Sequence, residues 1–559
     1  MPRDPTNEKE IQMHRNTKFL TCNSWIMFSW LLGGMATLVW VAAGARILGP
    51  EVYGEMGIIR AIFWISSSFT LMGIHFANPK FISAEIACTE RAKKYACFSA
   101  KYLIIIGIIV FIVMMIFGLY LRYSSLSGGY YWIAFIIIGL SLLVNQVGWA
   151  IKSTLQGLKK IKNVAIMDLF FYAGYPISIC FLLYLPLQGL YPPYTGSRDL
   201  AVGIASLFTL IASLSALISG IIFMSKGDEI KLVELFKWQK EEGYFKRIIS
   251  FGFFAMFPWL IWQLMANLGP LMVRSFVSAG LTSWGEYGVY SFAHQLSIAS
   301  LLIGALGVAL LPFVSEANAS GDKEYLTDIL YLMTKVMFIL VIGMIFIFMA
   351  FGPGLLAGLG GAEWIPYAKG KDALMVGALG SAFVIWTVYY VISTALLGIN
   401  EEKKAMVIGV TGLSIYVLAA YFVGIKMGGG IWGTILGIIV GGIFVAFLSM
   451  FLLFHVTEIK FPLHMLLRPL VAILPTLIAL RIFVVYWLTT EVLALVLQIS
   501  IGIILYLIFL GWVGAITDKD FDMMRSSLNS SPRLKLYLIP LINLGQHIAK
   551  LCPLHRYNR

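Results

Sequence analysis

Ala45-Arg46-Ile47-Leu48-Gly49-Pro50-Glu51-Val52-Tyr53-Gly54 joins an apolar run over residues 19–48 to a second over 53–78. Each run exceeds the roughly 20 residues with which a helix crosses about 30 Å of hydrocarbon. Such runs recur as far as Gly514, about fourteen in all. Hydrophobic residues make up 59% of the 559 and charged ones 12%, with a mean hydropathy of +0.86, far from the roughly one-quarter charged usage of soluble domains. Backbone groups left unpaired in lipid are costly, and the runs lack the strict alternation of a transmembrane barrel. An all-α polytopic membrane protein follows.

The quoted stretch also has a counterpart, which reveals an internal duplication of about 230–240 residues. Tyr53-Gly54 matches Tyr287-Gly288, and Ala45-Arg46-Ile47 lines up with Val273-Arg274-Ser275. Pro79-Lys80-Phe81-Ile82-Ser83 matches Pro312-Phe313-Val314-Ser315. Leu155-Gln156-Gly157 followed by Lys162 matches Leu396-Leu397-Gly398 followed by Lys403. Three matches in order, each at an equivalent point of the topology, predict two pseudo-symmetric six-helix lobes. An even number of spans per copy relates them by an axis along the membrane normal.

The organisation expected is a cytoplasmic N-terminal segment (1–18), a first lobe (19–224), a cytoplasmic linker (225–247), a second lobe (248–455), two further helices (456–514) and a cytoplasmic tail (515–559). Leu232, Leu235, Phe236 and Trp238 give the linker the pattern of an interfacial amphipathic helix. The apolar stretch Leu534–Leu551, interrupted by Pro540, reads as interfacial. The run that follows Met1–Lys18 is too long for a removable signal peptide.

With the N-terminus in the cytoplasm, about 32 of the 41 Lys and Arg residues fall on the cytoplasmic side. That bias explains the formal net charge of +13 through membrane lipids, with no need for a nucleic-acid partner. Cys22, Cys88, Cys97, Cys180 and Cys552 show neither a CxxC nor a metal-ligand spacing, and the histidines are dispersed. No metal site and no disulfide framework is expected.

Ionisable side chains inside spans are costly and mark function by default. Arg46 lies near the outer end of the first span, Arg60 within the second, Arg274 near the outer end of the seventh and His294 within the eighth. The offset that superposes Tyr53-Gly54 on Tyr287-Gly288 also superposes Arg60 on His294. Basic groups from both lobes would then converge on a central cleft suited to an anion, and guanidinium forks fit phosphate oxygens. Snorkelling to head groups is the rival reading for Arg46 and Arg274. Asn145, Gln146, Gln263, Asn267 and Gln295 are candidates for cavity lining or sugar contact, or else for joining helices. Trp149, Trp364 and the loop Gly189–Tyr194 are candidates for stacking on sugars, or for the interfacial belt. Arg481 sits in the thirteenth span with no evident partner.

The stretch 45–54 resembles the first-loop signature of Wzx-like oligosaccharide flippases, in the superfamily that also holds multidrug and toxic compound extruders and lipid II flippases. Leu155-Gln156-Gly157, Gly288-Val289-Tyr290-Ser291, Leu311-Pro312 and Thr517-Asp518-Lys519-Asp520 are similar to segments of the same group. The resemblance implies fourteen helices in two lobes, alternating access, and a substrate made of a sugar chain on a polyprenyl mono- or diphosphate, moved from the cytoplasmic to the outer leaflet. In lipid II flippases, arginines of the first, second and eighth helices form a cationic cavity. Arg46 and Arg60 match the first two, and His294 stands on the eighth instead of arginine.

The expected function is thus a non-enzymatic flippase of the cell membrane, with both termini cytoplasmic, serving glycan-assembly machinery. No cofactor is expected, and a coupled Na⁺ or H⁺ stays open. A Walker A motif is absent, so the chain does not itself hydrolyse ATP. The alternatives are a multidrug or cation antiporter of the same architecture and a membrane-embedded polyprenyl-sugar polymerase or glycosyltransferase. The short outer loops, poor in acids, speak against an enzyme.

Overall fold

A computed structural model describes residues 5–85, 89–123, 131–172, 174, 198–226, 230–235, 237, 243–483, 492–518, 520–522 and six positions of the tail. They form helices α1 (Pro5–Leu71), α2 (Ile74–Ala84), α3 (Thr89–Tyr123), α4 (Tyr131–Gly157), α5 (161–172), α6 (Arg198–Ser225), α7 (Leu232–Leu235), α8 (Tyr244–Ser278), α9 (Trp284–Leu296) and α10 (Leu301–Ser320). These are followed by α11 (Lys323–Gly360), α12 (Gly370–Gly398), α13 (Glu402–Ala419), α14 (Ile431–Val456), α15 (Leu463–Phe483) and α16 (Val492–Trp512). No strand occurs among the described residues.

Helix α1 reverses direction at Gly49, whose φ of 68° and ψ of 168° belong to a region essentially restricted to glycine. The two halves lie side by side: the Arg60 guanidinium sits 5.7 Å from the Trp40 ring centre, and Gly44 packs against Tyr53 and Met56. Pro50 can open the second half because its missing N–H falls where no intrahelical partner exists. We refer to this end of the molecule as the Gly49 face and to the opposite end as the Lys80 face.

Twelve helices among the described residues are long and apolar enough to cross a membrane, and the stretch Ser24–Leu71 counts once although it holds both halves of α1. The expected figure of about fourteen is therefore not reached by this count. The fifth expected span, 164–187, runs past the described residues, as do Gly189–Tyr194 and most of Leu534–Leu551. Hydrocarbon is the solvent these helices are built for. Ile109, Val113 and Ile116 of α3, Leu474 and Ile478 of α15, and Leu497 and Ile504 of α16 stand exposed on the molecule's sides, where water would make such patches an aggregation hazard.

The duplication is expressed in equivalent contacts. Gly157 at the end of α4 packs on Ile82 of α2, and Gly398 at the end of α12 packs on Val314 of α10. Both second helices of the copies are interrupted: α1 gives way to α2 through Met72-Gly73, and α9 gives way to α10 through a 3₁₀ turn at Ser297–Ser300. Sequence reading took each as one continuous span. Ser283 starts α9 with a capping box, its hydroxyl accepting the Glu286 N–H at 3.2 Å while the Glu286 carboxylate accepts the Ser283 N–H at 3.0 Å.

The amphipathic helix expected in the linker is represented, among the described residues, by the four residues of α7; Phe236 and Trp238 lie outside them. Helices α15 and α16 pack on α11 of the second copy. Tyr506 packs on Gly343 and donates its hydroxyl proton to the Ile339 carbonyl at 3.0 Å. Just after α16, Asp520 accepts from the Thr517 N–H and hydroxyl at 2.6 Å and pairs with Lys335 of α11. The side chain of Arg481 lies outside the described residues.

Candidate functional site

Between the two copies lies a cavity enclosing about 1390 Å³ of atom-free space, part of it continuous with solvent. Helices of both copies wall it, and Arg60 and His294 line it from corresponding positions of α1 and α9. Arg60 is 6% exposed and donates through Nη1 to Gln295 Oε1 at 3.2 Å, an oxygen that also accepts from Tyr53 at 2.8 Å.

The position of His294 is set by a proline on the neighbouring helix. In α8 the carbonyl of Ala266 would normally accept from residue 270, but Pro270 has no N–H to give. His294 Nε2 supplies the missing donor at 2.5 Å. That bond requires a proton on Nε2, while Nδ1 is buried and without a hydrogen-bond partner among the described residues.

Asn145, Gln263 and Asn267 line the cavity as well. Asn145 donates to Ser67 Oγ at 3.0 Å, and Asn267 donates to Gln263 Oε1 at 2.9 Å. Gln146 and Gln295 are absent from the lining. Gln146 binds Thr70, and Gln295 joins α9 to α1 behind the wall, so these two act as helix joiners.

Arg46 and Arg274 do not enter the cavity lining; both stand at the Gly49 face. Arg46 donates to the carbonyls of Leu359 at 3.1 Å and Gly358 at 2.8 Å, capping the C-terminal end of α11, where helical carbonyls lack donors. Arg274 lies 3.5 Å from the buried Glu55 carboxylate, donates to Ser278 at 2.9 Å and covers the Trp284 ring at 4.4 Å. Sequence gives the depth of a charge within a span but not its direction around the helix. Trp364, also expected as a stacking residue, is fully buried at this face and donates to the Ala45 carbonyl at 3.1 Å.

Three features of the site escaped sequence reading. Lys152 of α4 and Asp168 of α5 meet at 2.5 Å inside the cavity, and Trp30 Nε1 donates to the second Asp168 oxygen at 2.9 Å. Lys152 is buried because α4 runs on to Gly157. His75 of α2 lines the same cavity, with both ring nitrogens buried and unpartnered among the described residues. The third feature is the density of aromatic rings in the wall, where Trp149, an expected stacking candidate, is joined by Trp30, Trp64, Trp259, Trp262 and Tyr390.

Contacts between the copies bridge them at both ends. At the Gly49 face, besides the Arg46, Trp364 and Arg274 contacts, Gly288 approaches so near that an added Cβ would lie 1.8 Å from the Pro50 carbonyl oxygen. At the Lys80 face, Lys80 donates to the Leu397 carbonyl at 3.2 Å and to Asn400 at 2.8 Å, Gln156 donates to the Val308 carbonyl at 2.8 Å, and Lys159 pairs with Glu316 at 2.9 Å. Among the described residues no group of three or more His, Cys, Asp or Glu is placed to hold a metal ion.

A family model described as polysaccharide biosynthesis protein matches residues 22–318. No curated protein matches the chain. Among solved structures, it resembles the outward-facing conformation of a multidrug resistance MATE family transporter of the MOP superfamily, with a TM-score of 0.62 at 16% identity over 79% of this chain and 96% of that one. A MOP superfamily transporter from Pyrococcus furiosus, described as having a binding pocket of reverse polarity that suggests a different function, gives a TM-score of 0.62 at 16% identity over 78% and 95%. These likenesses establish the shared fold of a polytopic membrane transporter.

Proposed function

Because the chain belongs to the polysaccharide biosynthesis protein family, we propose that it is a flippase, carrying a polyprenyl-(di)phosphate-linked oligosaccharide from the cytoplasmic to the outer leaflet by alternating access between its two lobes. The observation that carries this reading is the convergence of Arg60 and His294, from corresponding positions of the two copies, on one central cavity.

Arg60 offers the lipid phosphate a planar fork of donors. Lys152 adds a second cation whose pairing with Asp168 the substrate would rearrange. His294 Nδ1 and the amides of Asn145, Gln263 and Asn267 face the sugars, whose hydroxyls both donate and accept. The polyprenyl chain stays in the bilayer. Transport in each direction requires one of the two sets of inter-lobe contacts to open while the other holds.

On this reading the protein sits in the cell membrane with the Lys80 face and both termini in the cytoplasm, an orientation that the Lys and Arg bias supports. A cytoplasm-negative potential then favours outward movement of phosphate by about 2.3 kcal/mol per charge per 100 mV, with no cofactor or covalent chemistry required and with Na⁺ or H⁺ coupling as a separate question. Glycan-assembly machinery is the expected partner on either side of the flip.

The test is transport in liposomes, with a panel of polyprenyl-linked sugars, with and without ion gradients. Arg60→Ala abolishes transport on this reading, and full retained activity overturns the role of Arg60. A second reading, a multidrug or cation antiporter, draws on the Asp168 carboxylate in the cavity. Lys152 and Trp30 already occupy that carboxylate, and the antiporter predicts efflux of cationic drugs with no flipping of glycolipid. A polyprenyl-sugar polymerase or glycosyltransferase would instead alter the glycan covalently, which product analysis of the same liposomes detects.

A further inference from the structure

The aromatic wall of the cavity is continuous across the boundary between the two copies. Trp149 and His75 of the first copy lie 5.4 Å apart between ring centres, His75 and Trp259 5.7 Å, and Trp259 and Trp262 5.6 Å at an interplanar angle of 23°. Tyr390 of α12 then flanks Trp259 at 5.6 Å and Trp262 at 5.8 Å. Trp259 is 8% exposed and Trp262 6%, and the indole N–H groups of both are buried without a partner among the described residues. Such orphaned donors are rare and call for an explanation.

Rings alone suit any apolar ligand, and orphaned donors alone suit any acceptor. A pyranose matches both, since it presents a face of C–H groups to the rings and a rim of hydroxyls to the N–H groups around them. The faces of aromatic rings carry negative potential, so they repel a carboxylate and attract polarised C–H groups. We propose that Trp259, Trp262 and Tyr390 form a stacking platform for one uncharged pyranose residue of the cargo. The platform belongs entirely to the second copy, so the sugar travels with that lobe when the wall parts between His75 and Trp259. The inference rests on the flippase reading and narrows its cargo to glycans with a neutral sugar at this position.

The experiment measures binding to the purified full-length protein of three probes: polyprenyl phosphate, the same lipid phosphate bearing a neutral hexose, and the same bearing a hexuronate. Wild type, the pair Trp259→Leu/Trp262→Leu and the pair Trp259→Phe/Trp262→Phe are compared, with thermal unfolding checked for each. Expected is a gain for the neutral hexose over the bare lipid phosphate on the order of tenfold in wild type, little or no gain for the uronate, and loss of the gain in the leucine pair, each gain being read against the same protein's affinity for the bare phosphate. The phenylalanine pair, which keeps rings but lacks the N–H groups, shows a reduced gain and stands in should the leucine pair fail to fold. A gain that survives unchanged in both pairs, or a uronate gain equal to that of the hexose, overturns the platform. Binding of the bare phosphate with no gain from any sugar overturns the platform alone, whereas binding of none of the three probes overturns it together with the flippase reading.

Discussion

The ammonium of Lys152 lies 2.5 Å from the carboxylate of Asp168 inside the central cavity, with side chains only 11% and 10% exposed. A pair of this kind is maintained by mutual need. Removing one member strands the other, at a cost of about 3–5 kcal/mol, whereas replacing both with apolar groups is far milder. Lys152→Met and Asp168→Leu should therefore each lower stability sharply, and the double variant should recover most of the loss. Denaturant unfolding of the purified proteins reads this directly, and a double variant as unstable as the sum of the singles would contradict it.

The bond from His294 to the Ala266 carbonyl makes a prediction through Pro270, which takes no part in the bond. His294→Phe leaves that carbonyl unsatisfied and should cost about 1–3 kcal/mol. Pro270→Ala in the same background supplies a new backbone N–H four residues along α8 and should restore part of it, while the same change in wild type restores nothing. Comparison of the four unfolding midpoints decides the matter.

Gly49 holds a backbone conformation that other residues reach only under strain, and a Cβ there would also sit 2.7 Å from the Glu363 carboxylate. Gly49→Ala should destabilise by about 1–3 kcal/mol. Gly34, helical and with nothing within 4 Å of an added Cβ, is the control, since alanine there is expected to be neutral or slightly stabilising. Equal unfolding temperatures for the two alanine variants would remove the strain at Gly49.

Lys159 and Glu316 bridge the copies at the Lys80 face. With the five native cysteines replaced, the pair Lys159→Cys/Glu316→Cys joined by a short thiosulfonate cross-linker should lose transport in liposomes and regain it on reduction. Unchanged transport in the linked protein would show that this face does not open.

The all-helical membrane fold was legible because a run of about twenty apolar residues has few other uses, and the duplication because Tyr53-Gly54 and Tyr287-Gly288 fall at equivalent points. Arg60 and His294 stood out since ionisable groups are rare at their depth. Arg46 and Arg274 share that rarity but turn to a helix end and a buried glutamate, a direction fixed by packing that a single sequence does not carry. Lys152 and Asp168 lie near the ends of their helices, where a sequence alone does not say whether a charge turns to the cavity or to the head groups. The aromatic wall was hidden by composition, because tryptophan and tyrosine at interfaces and at a binding site look alike until the helices are assembled. The break of α1 from α2 at Met72-Gly73 carries no proline to mark it within the apolar run.

Pro50 and Gly288 belong to matching stretches of the two copies, so at the Gly49 face the chain touches its own likeness, as protomers of a twofold dimer touch across their dyad. Each copy is thus the mould for the other, and a side chain enlarged on one side of this seam has to be met by a smaller one across it.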